Sequence, residues 1–440
     1  MKICLVGYGI SNEALLKNIL IKENVEIFVS NNKELSYKDI IFFEKNKISY
    51  EEQHGKLLKE ADLAIISPGI HPESLPIKII RENNIPYTTE IEYSWRKIKE
   101  KNPESIFIGV TGTNGKSTTT KLISHILSKS YNTFVGGNLG TPLSSANFDK
   151  EIYIVEISSF QIFWGKNFIP EIAVLINLMP DHLNWHASLE EYYNTKLNLI
   201  HKTIQNDGIG FVNSNLKSYF KENTNNLYFF GDNGEYIWKN NMIETKNNIN
   251  IKVTNETLKL DLYKEDVLAA VSVALNLDLS KILIEESLKT FKTLEHRMEF
   301  VGEYKGIKFF NDSKATNVHA ALSAYKSFRQ KNYIAMLSGQ PKNEDMEILL
   351  KELQNYAKKV LVFGDMVGEI NKYKFFTNYI VEDNLKSAIK KAVAIFRNNT
   401  YKEDTYIILS PAGASYDLFK NYKERGKRFK EEVYKLMEMI

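Results

Sequence analysis

Gly112, Thr113, Asn114, Gly115, Lys116, Ser117 and Thr118 run consecutively, with the types and spacing of a loop that holds phosphate. The two glycines let the backbone turn tightly and present N–H groups to phosphate oxygens. Lys116 can neutralise the outer phosphates of a nucleotide, and the Ser117 hydroxyl is placed to bind Mg²⁺. Gly112 is followed by only two residues before the Gly115-Lys116 pair, so the loop is shorter than the usual form. The plainer alternative is a glycine turn with a chance Lys-Ser pair.

Such a loop needs a strand before it and a helix after it. The apolar run from Ser105 reads as the strand, and Lys121-Leu-Ile-Ser-His-Ile-Leu repeats apolar residues at helical spacing. The helix N-terminus then adds its positive dipole end to the loop amides. Glu156 ends another apolar run, where a charge is costly unless paired or metal-bound, so it is a candidate Mg²⁺ ligand; a solvent-facing carboxylate on an edge strand is the alternative. Asp181 and His182 fall just beyond the run Ile172-Ala-Val-Leu-Ile-Asn, where site residues of open sheets tend to lie. Spacing alone makes Lys196 a surface lysine on a helix. In the last third, Asp312, Lys314 and Thr316 crowd a turn before a helix and suit phosphate, ribose and carboxylate contacts, against the alternative of a solvated turn.

The chain opens with a strand and a Gly-x-Gly turn at Gly7-Tyr-Gly-Ile-Ser11, with Asn12 where the third glycine of a dinucleotide fingerprint is expected. Strands alternate with helices throughout, which predicts parallel sheets with ligands at the carboxyl ends of the strands. Residues from about 205 to 262 read as a peripheral β segment. The terminal basic helix, Lys420 to Lys430, reads as a solvated face.

With 440 residues, three domains are expected. Lys plus Arg number 57 against 54 Asp plus Glu, a net charge of +3, too even to argue for nucleic acid. The lone cysteine, Cys4, excludes an internal disulfide and reads as a buried bystander. The first residues read as a strand and not a signal peptide, and no apolar run approaches the ~18 residues of a membrane span, so a cytoplasmic protein is expected.

Taken together these motifs resemble the Mur ligases of peptidoglycan synthesis, over essentially the whole chain. The shared pattern is carried by Gly112-Thr-Asn-Gly-Lys-Ser, Glu156, Asp181-His182, Arg297, and Asp312 with Lys314. Gly136-Gly-Asn-Leu-Gly, Glu156-Ile-Ser-Ser-Phe-Gln, Asn311-Asp-Ser-Lys-Ala-Thr-Asn and Leu409-Ser-Pro-Ala-Gly-Ala-Ser are similar to the branch that adds D-glutamate. The resemblance implies an α/β protein of three domains. Residues 1–95 would be a Rossmann-like domain for the UDP substrate, 96–293 a P-loop ATPase with a mostly parallel sheet, and 294–440 a Rossmann-like domain closing on ATP and the amino acid. It also implies an ATP-dependent ligase joining D-glutamate to UDP-N-acetylmuramoyl-L-alanine through an acyl phosphate.

By the same resemblance, Lys116, Glu156, His182 and Lys196 are catalytic, and residues 112–118 bind ATP with Arg297 and Asp312. Gly7, Ser11, Asn138, His182, Lys314, Thr316, Ser415 and Tyr422 contact substrates. Two Mg²⁺ ions are implied, on Ser117, Glu156, His182 and Lys196, the lysine as its carbamate. The implied partners are the small-molecule substrates, and a monomer is expected. The chain departs from the family at Tyr263-Lys-Glu-Asp266, where an Asn pair is usual near adenine, and at Gly339-Gln-Pro-Lys342, a recast Gly-Lys loop. A related amide ligase with another acceptor, such as a folylpolyglutamate synthase, is the alternative within the class. A silent nucleotide-binding regulator is the alternative outside it.

Overall fold

The computed structural model describes residues 1–221, 224–342, 344–397 and 405–438. The chain forms two compact units, one of Met1–Val253 with Glu265–Lys289 and the other of Thr254–Lys264 with Thr290–Ile440. Three α/β sheets are distributed between them. Among the described residues no helix is long and apolar enough to cross a membrane.

The first unit holds two sheets. In the N-terminal one, five parallel strands lie in the order Ser49–Glu51, Glu26–Ser30, Lys2–Val6, Leu63–Ile66, Tyr87–Thr88. The order reverses direction beside Lys2–Val6, which puts the Gly7 turn at a topological switch point. Gly7 takes φ +79° there, and its N–H donates to Ser30 O at 2.8 Å. Asn12, in the place of the third glycine, is fully buried and its Nδ2 reaches the carbonyls of Gly7 at 2.8 Å and Ile65 at 3.1 Å. It therefore ties two strand ends together, a structural task that closes the turn without a glycine. Cys4 is buried in the central strand, and burial pushes its thiol up to about 12, well outside the reactive range.

The second sheet of this unit has nine strands, with Ile106–Thr111 between Ile172–Leu175 and Ile152–Glu156. All three are parallel and apolar on both faces, as a strand covered by helices on each side must be. Phe107 and Tyr153 stack in register across two of them, 4.6 Å between centroids. The segment expected to be peripheral β supplies Ile209–Asn213, Leu227–Phe230, Tyr236–Lys239, Met242–Thr245 and Asn250–Lys252, the last pairings being antiparallel. Residues 93–95 lie inside the helix Glu90–Lys101, and Lys264–Asn276 is the expected buried helix.

The second unit is built on a six-stranded sheet ordered Glu299–Tyr304, Ile307–Asn311, Thr405–Ala412, Asn332–Ser338, Lys359–Phe363, Tyr379–Val381. All pairings but the first are parallel. The terminal helix Tyr422–Met437 departs from a wholly solvated face. Arg425 is completely buried and donates to Ser313 O and Gly413 O, each at 3.0 Å, and to Ser313 Oγ at 3.0 Å. One guanidinium thus joins the loops after two neighbouring strands, its planar fork satisfying a carbonyl of each.

Replacing Asn12 with Ala leaves two buried carbonyls without their donor. The expected loss is about 1–3 kcal/mol of stability, read by chemical denaturation, with loss of substrate affinity no greater than that unfolding explains.

Candidate functional site

The glycine loop follows the central strand of the nine-stranded sheet and opens the helix Lys116–Leu127. Gly115 caps that helix at φ +81°, a conformation that favours glycine. The neighbouring strand end holds the loop in place. Asn177 accepts from Asn114 N–H through Oδ1 at 2.9 Å, and its carbonyl accepts from Thr113 N–H at 3.1 Å. Thr113 Oγ1 also lies 3.0 Å from the Tyr192 hydroxyl. Asn177 and Tyr192 were not singled out from sequence, because nothing in their spacing marks them as partners of a loop more than sixty residues away.

Lys116 Nζ donates to Gly112 O at 3.0 Å and Thr113 O at 2.8 Å, and burial lowers its pKa while Glu156 and Asp181 oppose that. Glu156 is 2% exposed on a strand flanked on both sides, so the edge-strand alternative does not hold. Its carboxylate accepts from Ser117 Oγ at 2.7 Å and from Asn138 Nδ2 at 2.7 Å. Ser117, Asn138 and Glu156, from three separate segments, therefore meet at neighbouring strand ends. A hydroxyl and a carboxylate oxygen this close are hard donors of the kind Mg²⁺ takes.

Lys196 is not a surface lysine. It is 1% exposed, donates to Gly112 O at 2.9 Å, and lies 4.9 Å above the Tyr192 ring. Burial, helped by the positive charge of Lys116, pulls its pKa down to about 7. An amine in this position is largely neutral at slightly alkaline pH and therefore nucleophilic. The helix Leu189–Gln205 puts it there because Tyr192, Lys196, Leu199, Ile200 and Thr203 share its buried face.

His182 sits in a loop at φ +53°, its Nε2 3.5 Å from Asp181 Oδ2 and its ring 4.8 Å from Phe160. His186, four residues on, is buried with Nε2 3.0 Å from Ser159 Oγ, while Nδ1 lies 3.3 Å from the Glu191 carboxylate. The stretch Ser158-Ser-Phe-Gln161 is a capping box for the helix Ser159–Trp164. Ser11 is half-buried in the first helix turn after Gly7.

In the second unit, Asn311, Asp312 and Ser313 are buried while Lys314 is exposed and Thr316 half-buried, so the solvated-turn alternative fails for Asp312 and holds for Lys314. Asp312 accepts from Ser410 Oγ at 2.7 Å and from Met298 N–H at 3.2 Å, and burial raises its pKa to about 7. Arg297, which directly precedes Met298 in the chain, is exposed. Lys314 Nζ lies 5.8 Å above the Tyr422 ring, and Thr316 Oγ1 accepts from Lys342 at 3.3 Å, so the recast loop still delivers its lysine to this turn. Ser415 is buried at the start of a short 3₁₀ turn.

The strand, glycine loop and helix, with a serine and carboxylate paired at the strand ends, define an α/β protein of the phosphate-loop class. Residues 2–75 match the MurD N-terminal domain, 110–268 the Mur ligase middle domain and 296–413 the Mur ligase glutamate ligase domain. The chain is 50% identical over 436 residues, 98% of each chain, to the UDP-N-acetylmuramoylalanine--D-glutamate ligase of Petrotoga mobilis. It is 35% identical over 454 residues to the enzyme of that name from Thermosipho africanus, covering 100% of this chain and 99% of the relative. This chain belongs to the Mur ligase family. Its fold is similar to that of UDP-N-acetylmuramate-alanine ligase from Thermotoga maritima, at TM-score 0.55 and 18% identity over 99% of both chains. The MurF ligase of Thermotoga maritima in complex with ADP gives TM-score 0.59 and 15% identity over 98% of this chain and 95% of that one.

Glu156→Ala removes the carboxylate facing Ser117. Nucleotide binding in the presence of Mg²⁺ is expected to weaken roughly tenfold or more, with a much smaller change when the ion is chelated, measured by equilibrium titration.

Proposed function

We propose that this chain joins D-glutamate to UDP-N-acetylmuramoyl-L-alanine, driven by ATP, in the cytoplasm and as a monomer. The observation that carries the reading is the meeting of Lys116, Ser117, Glu156 and Lys196 at one strand end, in a chain half identical over its length to a ligase of that name. The three-part division at 1–95, 96–293 and 294–440 is part of this reading, supported by one sheet falling within each range.

A carboxylate is a poor electrophile, and bringing it to a γ-phosphate sets two anions against each other. Lys116 offsets that repulsion from within a water-poor loop, where its charge acts more strongly than in solvent. Ser117 and Glu156 would hold one Mg²⁺ ion, and His182 with the carbamate form of Lys196 a second, which would supply further charge neutralisation at the phosphates. One carboxylate oxygen of the substrate forms a bond to the γ-phosphorus as the bond to ADP breaks. The D-glutamate amine then attacks the acyl carbon, loses a proton and expels phosphate, leaving the amide.

The neutral Lys196 amine can add CO₂, forming an N–C bond and releasing one proton. The carbamate replaces a buried cation beside Lys116 with an anion, so the two side chains attract where they had repelled. Gly7, Ser11 and Asn138 are assigned to the UDP-linked substrate, with Asn138 held in orientation by Glu156. Residues 112–118, Arg297 and Asp312 are assigned to ATP, and Lys314, Thr316, Ser415 and Tyr422 to D-glutamate. The Lys314 ammonium beside a tyrosine ring suits a carboxylate.

Phosphate release from ATP with UDP-N-acetylmuramoyl-L-alanine present is expected with D-glutamate and not with L-glutamate, D-aspartate or L-lysine, the product gaining one glutamyl unit by mass. Release with none of the four would sink this reading. Lys116→Ala is expected to abolish turnover, and near-normal activity would remove the loop from catalysis. Lys196→Ala is expected to be inactive and partly restored by short carboxylates; if none restores it, the carbamate is the part that fails.

A further inference from the structure

We propose that Asp266 is a positioning residue of the phosphate loop: its side chain fills the space behind Gly115, and negative charge in that place opposes a bound polyphosphate. This rests on the nucleotide reading of the loop. Asp266 stands in the first turn of the helix Lys264–Asn276 and is 4% exposed. A Cβ added at Gly115 would fall 2.2 Å from its Oδ1, so the carboxyl occupies the space that the glycine leaves. Thr119 Oγ1 donates to the same oxygen at 2.8 Å, and Thr119 N–H bonds Gly115 O at 2.9 Å. The carboxyl thus touches both ends of the first turn of the phosphate-loop helix.

A second route leads to the same place. Glu265, beside it, accepts from Asn177 Nδ2 at 3.0 Å, and Asn177 Oδ1 accepts from Asn114 N–H. The start of this helix therefore braces the loop at Asn114 and at Gly115, the two residues that lead into Lys116. From the phosphate-loop helix only the uncharged Gly115 backbone and the Thr119 hydroxyl face Asp266 among the described contacts; the charged neighbour acting on it is Glu265 on its own helix. Burial first, and Glu265 second, push its pKa up to about 8. At neutral pH the group is protonated and adds no charge behind the loop. Above pH 8 it becomes an anion on the far side of the amides that a polyphosphate uses.

The test is the dissociation constant of Mg²⁺-ATP for the full chain and for Asp266→Asn and Asp266→Ala, each checked for a cooperative thermal transition. The wild-type chain should bind about tenfold more weakly at about pH 9 than at about pH 7, most of the change following the ionisation of Asp266 near 8 and a smaller part the loss of charge on Lys196 near 7. Asp266→Asn, uncharged at both, should lose most of that ratio. Asp266→Ala should bind more weakly than wild type even at the lower pH, with Asn restoring part of the loss. A wild-type ratio kept by Asp266→Asn would overturn the inference while leaving the ligase reading intact. No binding by the wild type at either pH would overturn the nucleotide reading and this inference together.

Discussion

The central constraint in this protein is the placement of charged side chains out of water at the ends of two adjacent parallel strands. Glu156, Lys116, Lys196 and Asp266 come from four separate segments, and burial lowers the pKa of both lysines and raises that of Asp266. Each finds a different resolution. Glu156 takes two hydrogen bonds from Ser117 and Asn138, Lys116 folds onto loop carbonyls, Lys196 loses much of its basicity, and Asp266 holds its proton. A site built this way is primed for phosphate chemistry, because the low dielectric that makes lone charges costly also strengthens the field on a bound anion.

The sheet explains why these groups can be held. Three neighbouring strands buried on both faces give a rigid base, and their carboxyl ends open at one edge, where the glycine loop, Asn138, Asn177 and Asp181 all follow strands. The side chains that fix the loop are polar residues at the ends of neighbouring segments: Asn177 and Tyr192 for its amides and hydroxyl, Asp266 for its glycine. The same logic recurs in the second unit. There Arg425 ties two strand-end loops together through Ser313 and Gly413, and Asn311, also buried, joins His296 to the terminal helix at Gly426.

Much of this was legible in the linear chain. Strand, glycine loop and helix around residues 105–127 form a local pattern, since the hydrogen bonds and φ angles involved span only a few residues. The apolar runs ending at Glu156 and Leu175 announced parallel strands with polar residues beyond them. The family motifs were recognisable as words in the sequence. Lys196 was different. Helical spacing placed it on a helix correctly, yet read as a surface lysine, because periodicity tells which residues share a face and not what covers that face.

The sequence by itself determined the α/β class, the position of the phosphate loop and the carboxylate at the neighbouring strand end, because each depends on residues close together in the chain. Only the tertiary structure decided that Lys196 is buried against Gly112, that Asp266 backs Gly115, that Asn12 bridges two strand ends and that Arg425 points inward. Those facts depend on contacts between distant segments, and the protonation of a side chain is set by the dielectric and charges that such contacts create.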